Sequence, residues 1–134
     1  MKENKRSVGS LYEGLAALYL EKQGMEILVR NYRNRMGEID LIGREEQEEV
    51  LGIHKVRTSY LVFIEVKFRS GEISGDPTES VDSRKMRQIS KTALYFLKEN
   101  GYSEDTPIRF DVIGIDREGK IRHIRNAFSF KGYY

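Results

Sequence analysis

Apolar positions along the chain fall into seven blocks, two with helical spacing and five with strand spacing. Leu11, Leu15 and Leu18 recur at intervals of four and three, with Tyr12 and Tyr19 at the margin. This predicts a helix from about Ser7 to Gln23, with the leucines as its core face. Ser7 or Ser10 stands where an N-cap belongs and Gly24 where a left-handed C-cap belongs. The opposite side of this helix carries Glu13 among Gly9, Ala16, Ala17 and Leu20. That side is small and smooth, so a sheet or a ligand could approach it closely. The plainer alternative is a surface glutamate on an alanine-rich helix.

Met25 to Arg33 alternates, with Ile27 and Val29 on one side and Leu28 on the other, and leads into a basic turn, Asn31-Tyr32-Arg33-Asn34-Arg35. Gly37 to Ile42 predicts the next strand, with Glu38, Asp40 and Ile42 sharing one face and Ile39 and Leu41 the other. Gly43 to Ser59 is too long for a structureless loop. Its acidic run and scattered apolar residues suggest a hairpin insertion at 44–59 that extends beyond the sheet body, and His54 within it reads as a surface residue. Tyr60 to Arg69 begins as an unbroken β-branched and aromatic run, the pattern of a strand buried on both faces. Ser70 to Thr78 reads as a mobile loop. Val81 to Asn100 predicts a second helix, capped by Ser80 or Asp82 and closed by Gly101. Its core face is Met86, Ile89, Ala93, Leu94, Phe96 and Leu97. Pro107 to Asp116 is a further strand, with Arg109, Asp111 and Ile113 on one side and Phe110 and Val112 on the other. Ile121 to Ile124 is a short edge strand. The tail from Phe128 to Tyr134 is aromatic, suited to packing on the domain, to a partner subunit or to base stacking. The order α-β-β-β-α-β-β specifies an α/β layer architecture, a mixed sheet of about five strands flanked by two main helices.

Composition narrows the class. At 134 residues the chain reads as a single domain, 1–134. No stretch is long and apolar enough for a membrane span. The N-terminus has no apolar leader and the chain has no cysteine, so the expectation is a cytoplasmic protein without disulfides. Two histidines and no cysteine remove most zinc sites. A net charge of +2 does not by itself imply a nucleic-acid partner. Clustering says more: Arg30 to Arg35 and Arg84 to Lys91 are basic, and one sign over two helical turns is unusual because like charges repel.

The candidate chemistry lies in carboxylates that look out of place: Glu13 on the smooth helix face, Asp40 in the second strand, and Glu65 in the central strand. Glu65 and Lys67 are two apart and project to one side. Two carboxylates about 4 Å apart repel by roughly 4 kcal/mol at an effective dielectric near 20. A divalent cation resolves that conflict, and oxygen ligands select Mg²⁺ or Mn²⁺. Lys67 would then orient an attacking water or stabilise charge developing on phosphorus. The basic turn with Arg33 and Arg35, and the basic helix, would hold a substrate backbone.

The pattern Glu13, Asp40, Glu65-Val66-Lys67 resembles the PD-(D/E)xK motif of the restriction-endonuclease-like superfamily. The acidic residue on the first helix makes it most similar to archaeal Holliday-junction resolvases. Nearly the whole chain resembles the bacterial YraN-like family, through Gly9 with Glu13 and Ala17, Arg30-Asn31-Tyr32-Arg33, Gly37-Glu38-Ile39-Asp40-Leu41-Ile42, Val62 to Arg69, Val81 with Lys85, Arg109-Phe110-Asp111-Val112, and Asn126-Ala127-Phe128. The resemblance implies a restriction-endonuclease-like fold. It implies Asp40, Glu65 and the Val66 carbonyl as metal ligands, Lys67 as the catalytic lysine, and Glu13 as support for the metal shell. Lys85, Gln88 and Lys91 would contact the nucleic-acid backbone. Asp111 is either a second carboxylate near the site or a structural partner of Arg109 or Arg33, the structural role being favoured. The implied function is metal-dependent hydrolysis of DNA phosphodiesters. The alternatives are a nucleic-acid-binding module that keeps the fold without cutting, and an interaction protein whose buried charges are structural. Junction resolvases of the superfamily are dimers, so the resemblance points to a homodimer, for which the aromatic tail could serve as an interface. One departure from the family is visible: the connection between the Asp40 and Glu65 strands is longer than the short turn the family leads one to expect.

Overall fold

The computed structural model describes residues 5–69 and 81–132. In chain order its elements are α1 (Lys5–Lys22), β1 (Glu26–Asn34), β2 (Gly37–Leu51), β3 (His54–Arg69), α2 (Ser83–Glu99), β4 (Ile108–Asp116) and β5 (Ile121–Phe128). The five strands form one sheet in the order β1-β2-β3-β4-β5. Only β3 and β4 run parallel, and α2 makes the crossover between them. This is the mixed sheet with two helices that the patterning specifies. The Ser70–Thr78 connection, Ser80 and the last two tyrosines lie outside the described residues.

Two apolar layers hold the helices to opposite faces of the sheet. On one, Ile39, Ile42, Leu61, Phe63 and Phe110 pack with Ile89, Ala93, Phe96 and Leu97 of α2. On the other, Leu41, Val62, Ile64, Ile113 and Ile115 pack with Ala16, Ala17 and Leu20 of α1. The core face of α2 is the one the spacing specifies, except that Leu94 is only half-buried and lies outside the α2-side cluster. That of α1 is not. Leu11, Leu15 and Leu18 are 59%, 38% and 50% exposed, while Ala16, Ala17 and Leu20 are fully buried. The smooth side of α1 lies on the sheet because small side chains let the helix approach closely, and Glu13 on that side is brought in with it.

Strict alternation fails at two further places. Ile27 packs on the α1 side but Val29 on the α2 side, because an extra residue bulges β1 between them. Ile39 and Leu41 also part, Ile39 toward α2 and Leu41 toward α1. The residue between them is Asp40, and the β1 register sets Asn31 opposite it, with Arg30 opposite Leu41 and Tyr32 opposite Ile39. Asn31 has φ +52°, a left-handed conformation that asparagine tolerates better than most residues. The pleat therefore turns over at Asp40.

β1 and β5 both run further than their sequence patterns suggest. Asn31 to Asn34, expected as a turn, continues β1, and β5 extends to Phe128, whose ring stacks on Phe110. The 44–59 stretch is an arm of paired strand, in register from Arg44 opposite Leu61 to Leu51 opposite His54. Cross-strand pairs Arg57–Glu46 and Lys55–Glu48 lie along it. His54 is exposed on this arm.

Candidate active site

The site is made by a fork in the sheet. β2 and β3 are paired down to Leu41 opposite Ile64 and no further. Beyond that point β2 stays with β1 as far as Gly37, while β3 stays with β4 as far as Arg69. The backbone groups released at the fork need partners. Asp40 Oδ2 accepts from the Val66 N–H at 2.7 Å, so a side chain closes the ladder where the strands part.

Asp40 also shares a hydrogen bond with the Glu13 carboxyl, brought in from α1. Burial drives the Asp40 pKa up, the Val66 N–H partly opposes this, and the Glu13 carboxylate adds to the rise, so that it is pushed up to about 6. Glu65 is buried. Its pKa is raised first by that burial and then by the charge of Asp40, with Lys85 and Lys67 working against the rise. Lys67 Nζ lies 3.2 Å and Lys85 Nζ 3.8 Å from the same Glu65 oxygen, Oε1. The fork thus gathers three carboxylates and two ammonium groups from α1, β2, β3 and α2.

Helix α2 is positioned for this. Asp82 caps it, accepting from the Lys85 N–H at 2.8 Å, which fixes the first turn and the root of Lys85. Gly37 seats the second turn: a Cβ there would come within 2.9 Å of Thr92 Oγ1 and 3.0 Å of Gln88 Cγ. Beside Lys85 opens a groove of about 610 Å³, lined by residues including Arg35, Arg84, Lys85, Arg87, Gln88 and Lys91. Its wall carries five cations. Arg35 also lies 5.2 Å over the Tyr95 ring. Arg33, also expected to contact a backbone, lies elsewhere. It pairs with Glu38 at 3.0 Å and is not among the residues of this groove.

Asp111 belongs to a different cluster. It is buried and accepts from Arg109 Nε and Nη2, both at 2.9 Å, and from the Asn126 N–H at 3.0 Å. His123 Nε2 lies 2.8 Å from it. Burial works to raise the Asp111 pKa, but the bonds from His123 and Arg109 outweigh it and hold the carboxyl below its ordinary value. An ionised Asp111 makes Nε2 of His123 the donor. Nδ1 of His123 is buried with no partner among the described residues. Arg109 continues to Glu45 at 2.8 Å and Gln47 at 3.3 Å, so the knot ties the arm to β4. The favoured structural role of Asp111 agrees with this, and its partner is Arg109. Sequence reasoning passed over His123, because one polar residue in a short edge strand carries no periodic signal. Asn126, at φ +52°, is the second left-handed asparagine, and the β4–β5 register shifts around it.

Among the described residues no three His, Cys, Asp or Glu side chains converge as a complete metal-binding set. Mg²⁺ asks for less, since it keeps several waters and takes one or two protein carboxylates. Asp40 and Glu65, raised together and drawn to one fork, are a hard-oxygen donor set that fits that demand. No described helix is long and apolar enough to cross a membrane.

Residues 12–115 match the model of the uncharacterised protein family UPF0102. A UPF0102 protein of Lachnoclostridium phytofermentans is 44% identical over 129 residues, 96% of this chain and 98% of that one. A UPF0102 protein of Aliivibrio fischeri is 38% identical over 128 residues, covering 94% of each chain. One from Clostridioides difficile is 40% identical over 126 residues, 93% of this chain and 99% of its own. With both chains of each pair covered almost end to end, the protein belongs to the UPF0102 family, the one its YraN-like motifs suggest.

Proposed function

We propose that this protein hydrolyses nucleic-acid phosphodiesters, most simply DNA, with Mg²⁺ or Mn²⁺ at the sheet fork. The observation that carries the reading is the convergence of Asp40, Glu65, Lys67 and Lys85 at one fork, with Asp40 pushed up to about 6. Buried like charges destabilise a fold, and a purely structural protein would keep apolar residues there. Carboxylates perturbed by burial and by a specific charge partner cluster at functional sites.

In this reading Asp40, Glu65 and the Val66 carbonyl hold the cation, and Glu13 supports it by fixing Asp40. The bound cation would lower the pKa of a coordinated water and polarise the phosphoryl oxygen. The chain's own groups do the rest. Asp40 is oriented by the Val66 N–H and Glu65 by Lys67 and Lys85. When the substrate enters, Lys67 turns from Glu65 to the phosphate and stabilises the charge that develops as water adds and one P–O ester bond breaks. The α2 groove holds flanking phosphates through Arg35, Arg84, Lys85, Arg87 and Lys91.

A second reading, binding without cleavage, draws on the incomplete set of ligating side chains. One assay separates the two. Labelled single-stranded, duplex and four-way-junction DNA are incubated with the protein in Mg²⁺, Mn²⁺ or EDTA, beside Asp40→Ala and Lys67→Ala. The nuclease reading expects metal-dependent cleavage that both substitutions reduce by at least a hundredfold. Cleavage that survives either substitution contradicts it. Binding without cleavage in either metal selects the second reading.

A further inference from the structure

The charged site has an aromatic neighbour without a role so far. Tyr12 of α1 and Phe68 of β3 stack with ring centroids 4.1 Å apart and planes inclined by 18°. Tyr12 immediately precedes Glu13, and Phe68 immediately follows Lys67. Phe68 remains 41% exposed, whereas Leu61 to Ile64 on the same strand are all buried. One face of Phe68 is covered by Tyr12, yet the residue as a whole keeps 41% of its surface exposed.

The two sides of the sheet differ in chemistry at this point. Phe63, Glu65 and Lys67 alternate toward α2, where Lys85 and the basic groove lie. Ile64, Val66 and Phe68 alternate toward α1, where Tyr12 packs. The fork therefore has cations on one flank and an open aromatic pair on the other. A nucleotide asks for both chemistries, cations for its phosphate and a ring face for its base. A base inside a duplex spends both faces on its own stack. Away from a duplex end, an aromatic platform receives a base only where it is unpaired or extruded.

We infer that Tyr12 and Phe68 form a stacking platform for an unpaired base beside the phosphate bound at the fork. The substrate class is then single-stranded or locally unpaired nucleic acid. The inference rests on the nucleic-acid reading of the fork and specifies which form enters it. Stacking accepts any base, so the platform selects for strand state and not for sequence.

The test uses the intact protein, with Ca²⁺ replacing Mg²⁺ to hold back cleavage, and a parallel series in EDTA. Binding is followed by anisotropy of an end-labelled oligonucleotide. Stacking is followed by the emission of 2-aminopurine placed at successive positions, in single strand and in duplex. The wild type should bind the single strand more tightly than the duplex and quench 2-aminopurine severalfold at one or two positions. Phe68→Leu should lose that quench and bind the single strand roughly tenfold more weakly, with duplex affinity unchanged. Phe68→Tyr should restore both. If Phe68→Leu does not fold by circular dichroism, Phe68→Thr takes its place, threonine being a good strand former. Equal quench and equal single-strand affinity in wild type and Phe68→Leu would overturn the platform while leaving the fork's function standing. Absence of binding to any nucleic acid in either series would overturn both. A dimer that dissociates in Phe68→Leu, with no change in 2-aminopurine, would assign the rings to contact between copies and overturn the inference.

Discussion

At the scale of single residues, Asp40 is the most exposed to test. Its pKa lies at about 6 in the folded protein and near 3.8 in an unfolded chain. The folded state thus holds its proton more tightly, and the stability that proton brings is full below about pH 4 and lost as pH rises through about 6. Ionised Asp40 costs stability at neutral pH, on the order of 3 kcal/mol before offsets. Asp40→Asn keeps an acceptor for the Val66 N–H and removes the charge. It should raise stability by about 1–3 kcal/mol at pH 7–8 and by little at pH 4, read from urea unfolding at the two pH values, while activity is lost. Asp111 behaves oppositely, because its bonds to Arg109, His123 and Asn126 favour the charged form. Asp111→Ala leaves the buried Arg109 short of a partner and should cost about 3–5 kcal/mol in the same measurement. Asp40, Glu65 and Lys67 were legible in the sequence because charge in an apolar strand pattern is anomalous. His123 and the two left-handed asparagines were not. Their roles come from register shifts between strands, which no local pattern encodes.

At the scale of elements, the helices and strands followed their periodicity, and the errors concern which face is buried. The leucine stripe of α1 is wider and more apolar than the alanine side, so periodicity chose it. Close approach to the sheet chose the alanines. Leu18→Gln should therefore change stability by no more than about 0.5 kcal/mol, and Ala17→Leu, at a fully buried position, should cost roughly 1–3 kcal/mol through overpacking. Thermal unfolding of the two variants beside wild type checks the contrast. Alternation failed where β1 bulges and where the pleat turns over at Asp40, since one inserted or left-handed residue reverses every face that follows. The β2–β3 arm makes a separate prediction. Glu48 and Arg57 are register partners, so replacing residues 49–56 by Asn-Gly gives a two-residue hairpin. Arg109 keeps Glu45 and Gln47, and the fork lies at the far end of β3. The shortened protein should keep its circular dichroism spectrum and, with the proposed nuclease activity, cleave a short substrate at the rate of the full-length chain. A collapse of either would show that the arm supports the fold or the chemistry.

At the scale of the whole molecule, the sheet divides the site's chemistry between its two sides. The α2 side supplies cations, the α1 side supplies Glu13 and the aromatic pair, and the parting of β2 from β3 lets the two meet at Asp40 and Glu65. The layer order was legible from seven hydrophobic blocks. The fork was not, because it depends on where a ladder stops. The decisive measurement for the fork is a titration of Mn²⁺ into the protein, followed by calorimetry. The wild type should show one site, lost in Asp40→Asn and Glu65→Gln and retained in Lys67→Ala. Saturating that site at about 100 times its dissociation constant should stabilise the wild type by about 2.7 kcal/mol and leave Asp40→Asn unmoved. Equal Mn²⁺ binding by wild type and Asp40→Asn, or none by the wild type, would contradict a metal site at the fork.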